Sequence, residues 1–579
     1  RARLWVNAEG FLTPLDAANL ESLSPGPPAR WRFHTNAGDG RRVALTLDAA
    51  MVPGWNAVAL RVHHRPGEGG PAVTLTVRLD LEHRGFHEET RATADLDARF
   101  RAATQPLADR PGFRFAPGEG HALRAWGTAG AYHPEPEWSQ DLHYPVEVER
   151  GLASTGAAWS PGWFELPLAP DEAVELLLCA DEADPPDPAF PTPPPRGFEA
   201  RLRAAARAFL AARDGGLTVI AGFPWFLDWG RDAALACRGL LAGGLRAEGL
   251  GVLATLAAQL ADGALPNRLG TEDRATSDAP LWFALACEEA GPELLDAPLA
   301  RGLTGRELLL ELGRAHLRGT AAGVRMDPGS ALLWSPARHT WMDTGHPACT
   351  PREGYPIEIQ ALWIRLLRHL ARLDGQGPWP ALAAQAEASF GRYWIEDRGW
   401  FADNLEGGPD VPAAEALQDR RLRPNQLLAV TLGIASGDRA RRSVDAATRH
   451  LLVPGGLRSL APVPVDTSAL RSAVFPYAGR YEGDEDSRRK PAYHNGTAWV
   501  WLLPVYAEAL ARAWDFERIT VKAARALLAD LEALLDQGCL GQLPELLDGD
   551  APHAGRGCDA QAWSATEALR VWRQLESGS

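Results

Sequence analysis

Five short loop segments of this 579-residue chain combine tryptophan, glycine or proline with charged or amide side chains. They are residues 222–232 (GFPWFLDWGRD), 265–268 (LPNR), 340–343 (TWMD), 493–497 (YHNGT) and 543–546 (LPEL). Each precedes an apolar segment of helical period, and loops at the same kind of helix end gather at one mouth of a helical ring, where a substrate fits. The TWMD segment places Asp343 after Trp341 and Met342, low-dielectric neighbours of the kind that raise a carboxyl pKa. Read alone, Asp343 serves equally well as a helix cap, and Glu545 as a solvated loop carboxylate. Gly230-Arg231-Asp232 also has two readings: a buried ion pair opening a helix, or an Arg and Asp whose paired hydrogen bonds suit vicinal diols. No GxSxG elbow accompanies His494, so a hydrogen bond to substrate or core is expected of it rather than a nucleophilic triad.

The bulk composition narrows what such loops meet. A hydrophobic fraction of 46% and a charged fraction of 23%, without an apolar run long enough to span a bilayer, describe a globular chain. The formal net charge of −15 disfavours nucleic acid and anionic membrane as partners, because either needs a basic face; a neutral substrate fits better. Six cysteines are scattered without a CxxC or Cys/His cluster, which suggests neither zinc nor a disulfide framework; no metal and no organic cofactor are expected. Reduced thiols point to the cytoplasm. No signal-peptide pattern opens the chain, and its start on Arg1 leaves a preceding segment open. Twenty-one tryptophans, many beside polar residues, either stack on sugar faces or fill a large helical core. Trp225, Trp229, Trp341, Trp499 and Trp563 are the candidates for a stacking wall.

These loops need a scaffold, and the chain changes period once. Val43–Leu47, the alternation Val73, Leu75, Val77, Leu79, Leu81, and the run from Ala173 to Ala180 read as short strands separated by Gly and Pro clusters, an antiparallel β-sandwich. Prolines then crowd residues 184–197, a stiff linker. From Phe198 the pattern is helical, with segments such as FEARLRAAARAFLAARDGG and IEIQALWIRLLRHLARLDG ending in Gly. The expected organisation is residues 1–183 as a sandwich, 184–197 as linker and 198–579 as a mainly α domain whose helical hairpins close a double ring.

The order and spacing of FPWFLDWGRD, LPNR with TSDAPLWF, TWMD with TPREGYPIEIQALW, RPNQLLAV, YHNGTAWVW and LPELLDGDAPHAGRGCDAQAWS resemble the glucosidase module of glycogen debranching enzymes. The resemblance covers roughly residues 198–577, and YPVEVERG at 144–151 resembles the end of that family's N-terminal domain. It implies an (α/α)6 barrel behind a β-sandwich, and inverting hydrolysis of single α-1,6-linked glucosyl branches of glycogen or limit dextrin. The family's general acid falls on Asp343 and its general base on Glu545. The C-terminal motif mixes the Leu-Pro-Glu-Leu start of eukaryotic forms with a bacterial-type ending, and either alignment places Glu at 545. Candidate substrate contacts are Trp225, Trp229, Arg231, Asp232, Asn267, Arg268, Asp278, Trp341, Arg352, Glu358, His494, Gln561 and Trp563, with Asp278 and Glu358 the next carboxylates to consider for catalysis. Nothing in the chain resembles the TIM-barrel transferase module, so longer branches would be trimmed elsewhere. The rival readings are a glucoamylase-like α-1,4 exo-hydrolase and an inactive glucan-binding protein.

Overall fold

A computed structural model describes residues 1–24, 28–38, 40–65, 70–85, 88–149, 152–187, 190, 195–345, 350–472 and 474–577. The chain divides into two compact units, Arg1–Pro195 and Arg196–Ser579. Residues 188–189 and 191–194 of the segment assigned to the linker lie outside the described residues.

The first unit is built from antiparallel strands. One sheet orders Leu20–Ser24, Ala29–Asn36, Arg42–Met51, Ala57–His64, Ala173–Cys179, His121–Gly127, Gly112–Gly118 and Thr104–Pro106. The other orders Ala131–His133, Trp163–Leu168, Val73–Leu79, Ala2–Ala8 and Phe11–Pro14. Val73–Leu79 alternates between buried and half-buried residues, as a period of two requires of a strand with one face on a core. Leu45, Val62 and Leu176 from the first sheet share one apolar core with Val6, Leu75, Val77 and Phe164 from the second, so the sheets form a sandwich.

The second unit is helical, and its helices sort into two layers. Among the described residues, six helices close a ring: Gly230–Ala242 packs on Ala279–Ala290, then follow Ile357–Leu373, Leu427–Thr431, Leu502–Ala513 and Ala562–Ser577, which returns to the first. Phe198–Arg207 ahead of them in sequence, and Arg246–Gln259, Gly305–Arg318, Trp379–Phe390, Gly437–His450 and Arg518–Ala529 between them, pack outside the ring. Ring helices are buried nearly all round, as for Gly230–Leu240, whose residues, Arg231, Asp232 and Arg238 included, are all buried. Outer helices carry one apolar stripe and signals at their ends: Thr304 and Glu307 make a reciprocal capping box and Gly319 follows the last turn of Gly305–Arg318.

One expected helix is shorter than its periodicity suggests. The segment beginning at Phe198 leaves the helix after Arg207 and becomes a hairpin, Leu210–Arg213 with Gly216–Val219. Asp214 and Gly215 between the strands both take positive φ, +47° and +79°, the two-residue turn that an Asp-Gly pair favours over helix continuation.

All six ring helices present their N-terminal ends to the same mouth, shown by the contacts of Arg231, Asp278, Glu358, Asn425, Trp499 and Gln561 described below. Their later turns line an opening of about 1460 Å³ at the other end, where buried Arg238, Glu567, Arg570 and Glu508 alternate in charge across the ring. Gly239 sets how closely the ring closes, because a Cβ there would lie 2.2 Å from the Thr566 carbonyl oxygen on the neighbouring helix. Gly239→Ala therefore loses stability, by about 1–3 kcal/mol of overpacking, although the same change on an exposed helix gains up to about 1 kcal/mol. Thermal unfolding reads the sign, and a raised melting temperature would contradict this packing constraint.

Candidate active site

The ring mouth is organised around Arg231, in the first turn of Gly230–Ala242 and almost fully buried. Its Nε donates to both carboxylate oxygens of Asp278 at 2.9 Å, Nη1 donates to Oδ2 of Asp343 at 3.1 Å, and Nη2 donates to the Thr340 carbonyl at 3.1 Å. One guanidinium thus joins two ring helices to the loop carrying Asp343, its planar donor fork matching the acceptors around it. Burial raises the Asp343 pKa above its usual value, and the Arg231 charge works against that rise. A fraction of 33% of the Asp343 side chain stays accessible.

Across the cavity, Glu545 lies between the LPEL turn and the strand Leu546–Leu547. That strand pairs with Ala498–Trp499 and Gly555–Arg556, and the Glu545 backbone is fixed on both sides, its N–H donating to Cys558 O and its carbonyl accepting from Val500 N–H. One carboxylate oxygen accepts from the Tyr493 hydroxyl and the other from the Cys558 N–H at 2.9 Å, so the side chain acts as acceptor on both oxygens, as an ionised carboxylate does. Burial, with the Glu545 charge adding, holds the Tyr493 hydroxyl well above its usual pKa and keeps it a donor. Gly557, at φ +69°, makes room: a Cβ there would sit 2.3 Å from Glu545 Oε2.

Between these two carboxyls lies an open cavity of about 390 Å³. Trp229, Trp341, Trp499 and Trp563, with Phe226, supply its aromatic surface, and Arg231, Asp232, His494 and Gln561 its polar groups. Asp232 accepts from Gln561 Nε2 at 3.3 Å, and its pKa is pushed up to about 7, chiefly by burial, with Asp343, Glu545 and Asp278 adding to the rise and Arg231 opposing it. His494 is held neutral by burial and by the nearby Arg423, Arg231 and Arg352 charges. Its Nδ1 pairs with the hydroxyl of Thr344, next to Asp343, and its ring stacks on Trp499 at 5.2 Å between centroids. Among the described residues no cluster of His, Cys, Asp or Glu is set to hold a metal ion, and no helix is long and apolar enough to cross a membrane.

The sequence candidates separate into three groups. Trp229, Arg231, Asp232, Trp341, Asp343, His494, Glu545, Gln561 and Trp563 come together in the cavity. Asn267 lines an adjoining opening of about 700 Å³, shared with Trp229, Arg338, His339 and Asp343, while exposed Arg268 pairs its backbone with Trp229. Trp225 is half-buried and outside the cavity lining. The third group sits behind the cavity: fully buried Asp278 faces Arg231 and Thr276, and buried Arg352 and Glu358 pair with each other, Arg352 also with Asp403. Their side chains pair with protein groups and lie outside the cavity lining. Tyr493 and Trp499, by contrast, line the cavity beyond the candidate contacts. Trp499 is one of the residues of the expected stacking wall, and Tyr493 lies inside YHNGT beside His494.

The profile of the family described as amylo-alpha-1,6-glucosidase matches residues 204–570, and that described as glycogen debranching enzyme N terminal matches residues 2–175. The chain belongs to the amylo-alpha-1,6-glucosidase family. A glycogen debranching enzyme of Saccharomyces cerevisiae is 23% identical over 394 residues, covering 50% of this chain and 25% of the yeast protein. An N,N'-diacetylchitobiose phosphorylase of Vibrio proteolyticus is 27% identical over 143 residues, 24% of this chain and 17% of that protein. The chain therefore spans about a quarter or less of these relatives. A bacterial glucoamylase solved with acarbose superposes with a TM-score of 0.58 over 100% of this chain and 88% of that one at 11% identity, which establishes a shared fold.

The raised Asp232 gives the family site a signature in stability. Between pH 3.8 and about 7 the unfolded chain loses this proton while the folded chain keeps it, so the group's contribution to stability falls as pH rises through that window and levels off above it. Asp232→Asn imitates the protonated form, and its gain in melting temperature over the wild type is expected to be smallest near pH 4 and largest above pH 7. A gain independent of pH would sink the assignment.

Proposed function

We propose that this chain is an inverting amylo-α-1,6-glucosidase that removes single glucosyl stubs from branched α-glucan such as glycogen or limit dextrin, on an (α/α)6 barrel. The observation that carries the reading is the opposed pair in one cavity: Asp343, raised by burial and open to the site, and Glu545, an acceptor for Tyr493 and Cys558. The ring of alternating inner and outer helices, the family match and the debranching relative support it.

In this mechanism Asp343 is the general acid. Arg231 occupies its Oδ2, and Oδ1 carries the proton given to the glycosidic oxygen as the C1–O bond breaks. Glu545 is the general base: it takes a proton from a water molecule whose oxygen bonds to C1 from the opposite face. Inversion requires the two carboxyls to stand about 6.5–9.5 Å apart, leaving room for that water. Product is β-glucose, with Asp343 left ionised and Glu545 protonated until solvent exchanges the protons. Arg231, Asp232, His494 and Gln561 offer hydrogen bonds to sugar hydroxyls, and the tryptophans offer stacking surfaces to its apolar face. The free thiols of Cys179, Cys237, Cys287, Cys539 and Cys558 agree with a reducing, cytoplasmic setting.

The glucoamylase-like fold favours one second reading, an exo-hydrolase of α-1,4 ends with the same pair. Glucose release from a singly α-1,6-glucosylated maltooligosaccharide and from linear maltooligosaccharide, followed by proton NMR of the first anomer, separates the two. β-Glucose from the branched substrate alone is expected, falling by at least about 10²-fold in Asp343→Asn and in Glu545→Gln. Preference for the linear substrate moves the chain to the glucoamylase-like reading, α-glucose as first product overturns inversion, and binding without release leaves a glucan-binding protein.

A further inference from the structure

Two residues of the loop carrying Asp343 are tied, each through one intermediary, to a single buried carboxylate that lies outside the cavity. Asp403 follows the short strand Trp400–Phe401, and its side chain is fully buried. It accepts from Arg352 Nε at 2.7 Å and Nη2 at 3.2 Å, and from Asn425 Nδ2 at 2.8 Å. Each donor then reaches the loop by a different atom. Arg352 Nη1 donates to the Thr340 hydroxyl at 3.0 Å, and Asn425 Oδ1 accepts from Trp341 Nε1 at 2.7 Å.

We propose that Asp403 is a positioning residue for the reaction: through Arg352–Thr340 and Asn425–Trp341 it fixes the two residues ahead of Met342 and so aims Asp343 at the leaving oxygen. This inference rests on Asp343 being the general acid. The carboxylate orients both intermediaries. With Oδ1 and Oδ2 engaged, the Arg352 fork lies between Asp403 and Glu358, and Nη1, which donates to Glu358 Oε1, turns its second hydrogen to Thr340. Because Asn425 gives its Nδ2 to Asp403, its oxygen is the atom left facing the indole N–H. Arg231 on the Thr340 carbonyl completes a grip on that residue from both its side chain and its backbone. A small shift of a proton donor costs catalysis out of proportion to its size, about 10²-fold for 1 Å.

Leaving-group dependence tests the role. An α-1,6-linked glucan chain needs protonation to depart, whereas fluoride leaving α-glucosyl fluoride needs little, so a misaimed acid slows the first substrate selectively. Asp403→Asn weakens both routes at once, and the double variant Thr340→Val/Asn425→Ala cuts them while retaining the Asp403–Arg352–Glu358 ion pairs. The expected result for the double variant, with a melting profile like that of the wild type, is a loss in kcat of about 10²-fold on the branched substrate and less than about threefold on the fluoride, with KM little changed. Equal losses on both substrates, or full branch cleavage, overturn the proposal. Asp343→Asn is the reference: selective loss there without selective loss in the double variant overturns the positioning role alone, and equal loss on both substrates there overturns the acid reading together with it.

Discussion

A guanidinium buried at the centre of a ring of helices is tolerable only when its donors are satisfied and its charge is balanced, and this condition at Arg231 shapes the whole mouth. Asp278 must stand behind it at the start of one ring helix, the Thr340 carbonyl must turn toward it, and Asp343 must take the remaining donor. The same contact tempers Asp343, whose burial would otherwise push its pKa further. Asp232, next along the same turn, has no such direct partner among the cations that line the cavity and rises to about 7. One arginine thereby acts unequally on two neighbouring carboxyls that share its environment.

The helix polarity explains why so many acidic groups tolerate this crowding. Ring helices bring their N-terminal turns, with their unpaired N–H groups and positive dipole ends, to one place, and Asp232, Asp278 and Glu358 occupy those turns. Arg352 and Asp403 extend the alternation of charge below the surface. The aromatic layer above it is equally interlocked: Trp341 meets His494, Trp499 and Trp501 edge-on at 5.1–5.3 Å.

What could be read from sequence follows from the length scale of each signal. Alternation over Val73–Leu79 and the long apolar stripe of Ile357–Leu373 are local and periodic, and both elements form where the pattern puts them. The hairpin after Arg207 was hidden because alanines and arginines keep a helical period up to an Asp-Gly pair whose turn chemistry outweighs it. The cavity members sat in Trp-Gly loops and were visible as a set; which face each would show was not. Asp278, Glu358 and Arg352 flank the same helix starts as the lining residues, and a single residue of helical rotation separates facing substrate from facing protein. Asp403 and Asn425 were beyond reach for a different reason. Asn425 touches Trp341 across 84 residues of chain and Asp403 touches Arg352 across 51, separations that leave no mark on local composition.

The far end of the ring carries a consequence for traffic. Arg238, Glu567, Arg570 and Glu508 fill its throat with mutually neutralised charge, so the ring has a floor. Under the proposed function a glucan end would therefore enter and leave by the same mouth, so the ring would act on chain ends rather than on a threaded chain.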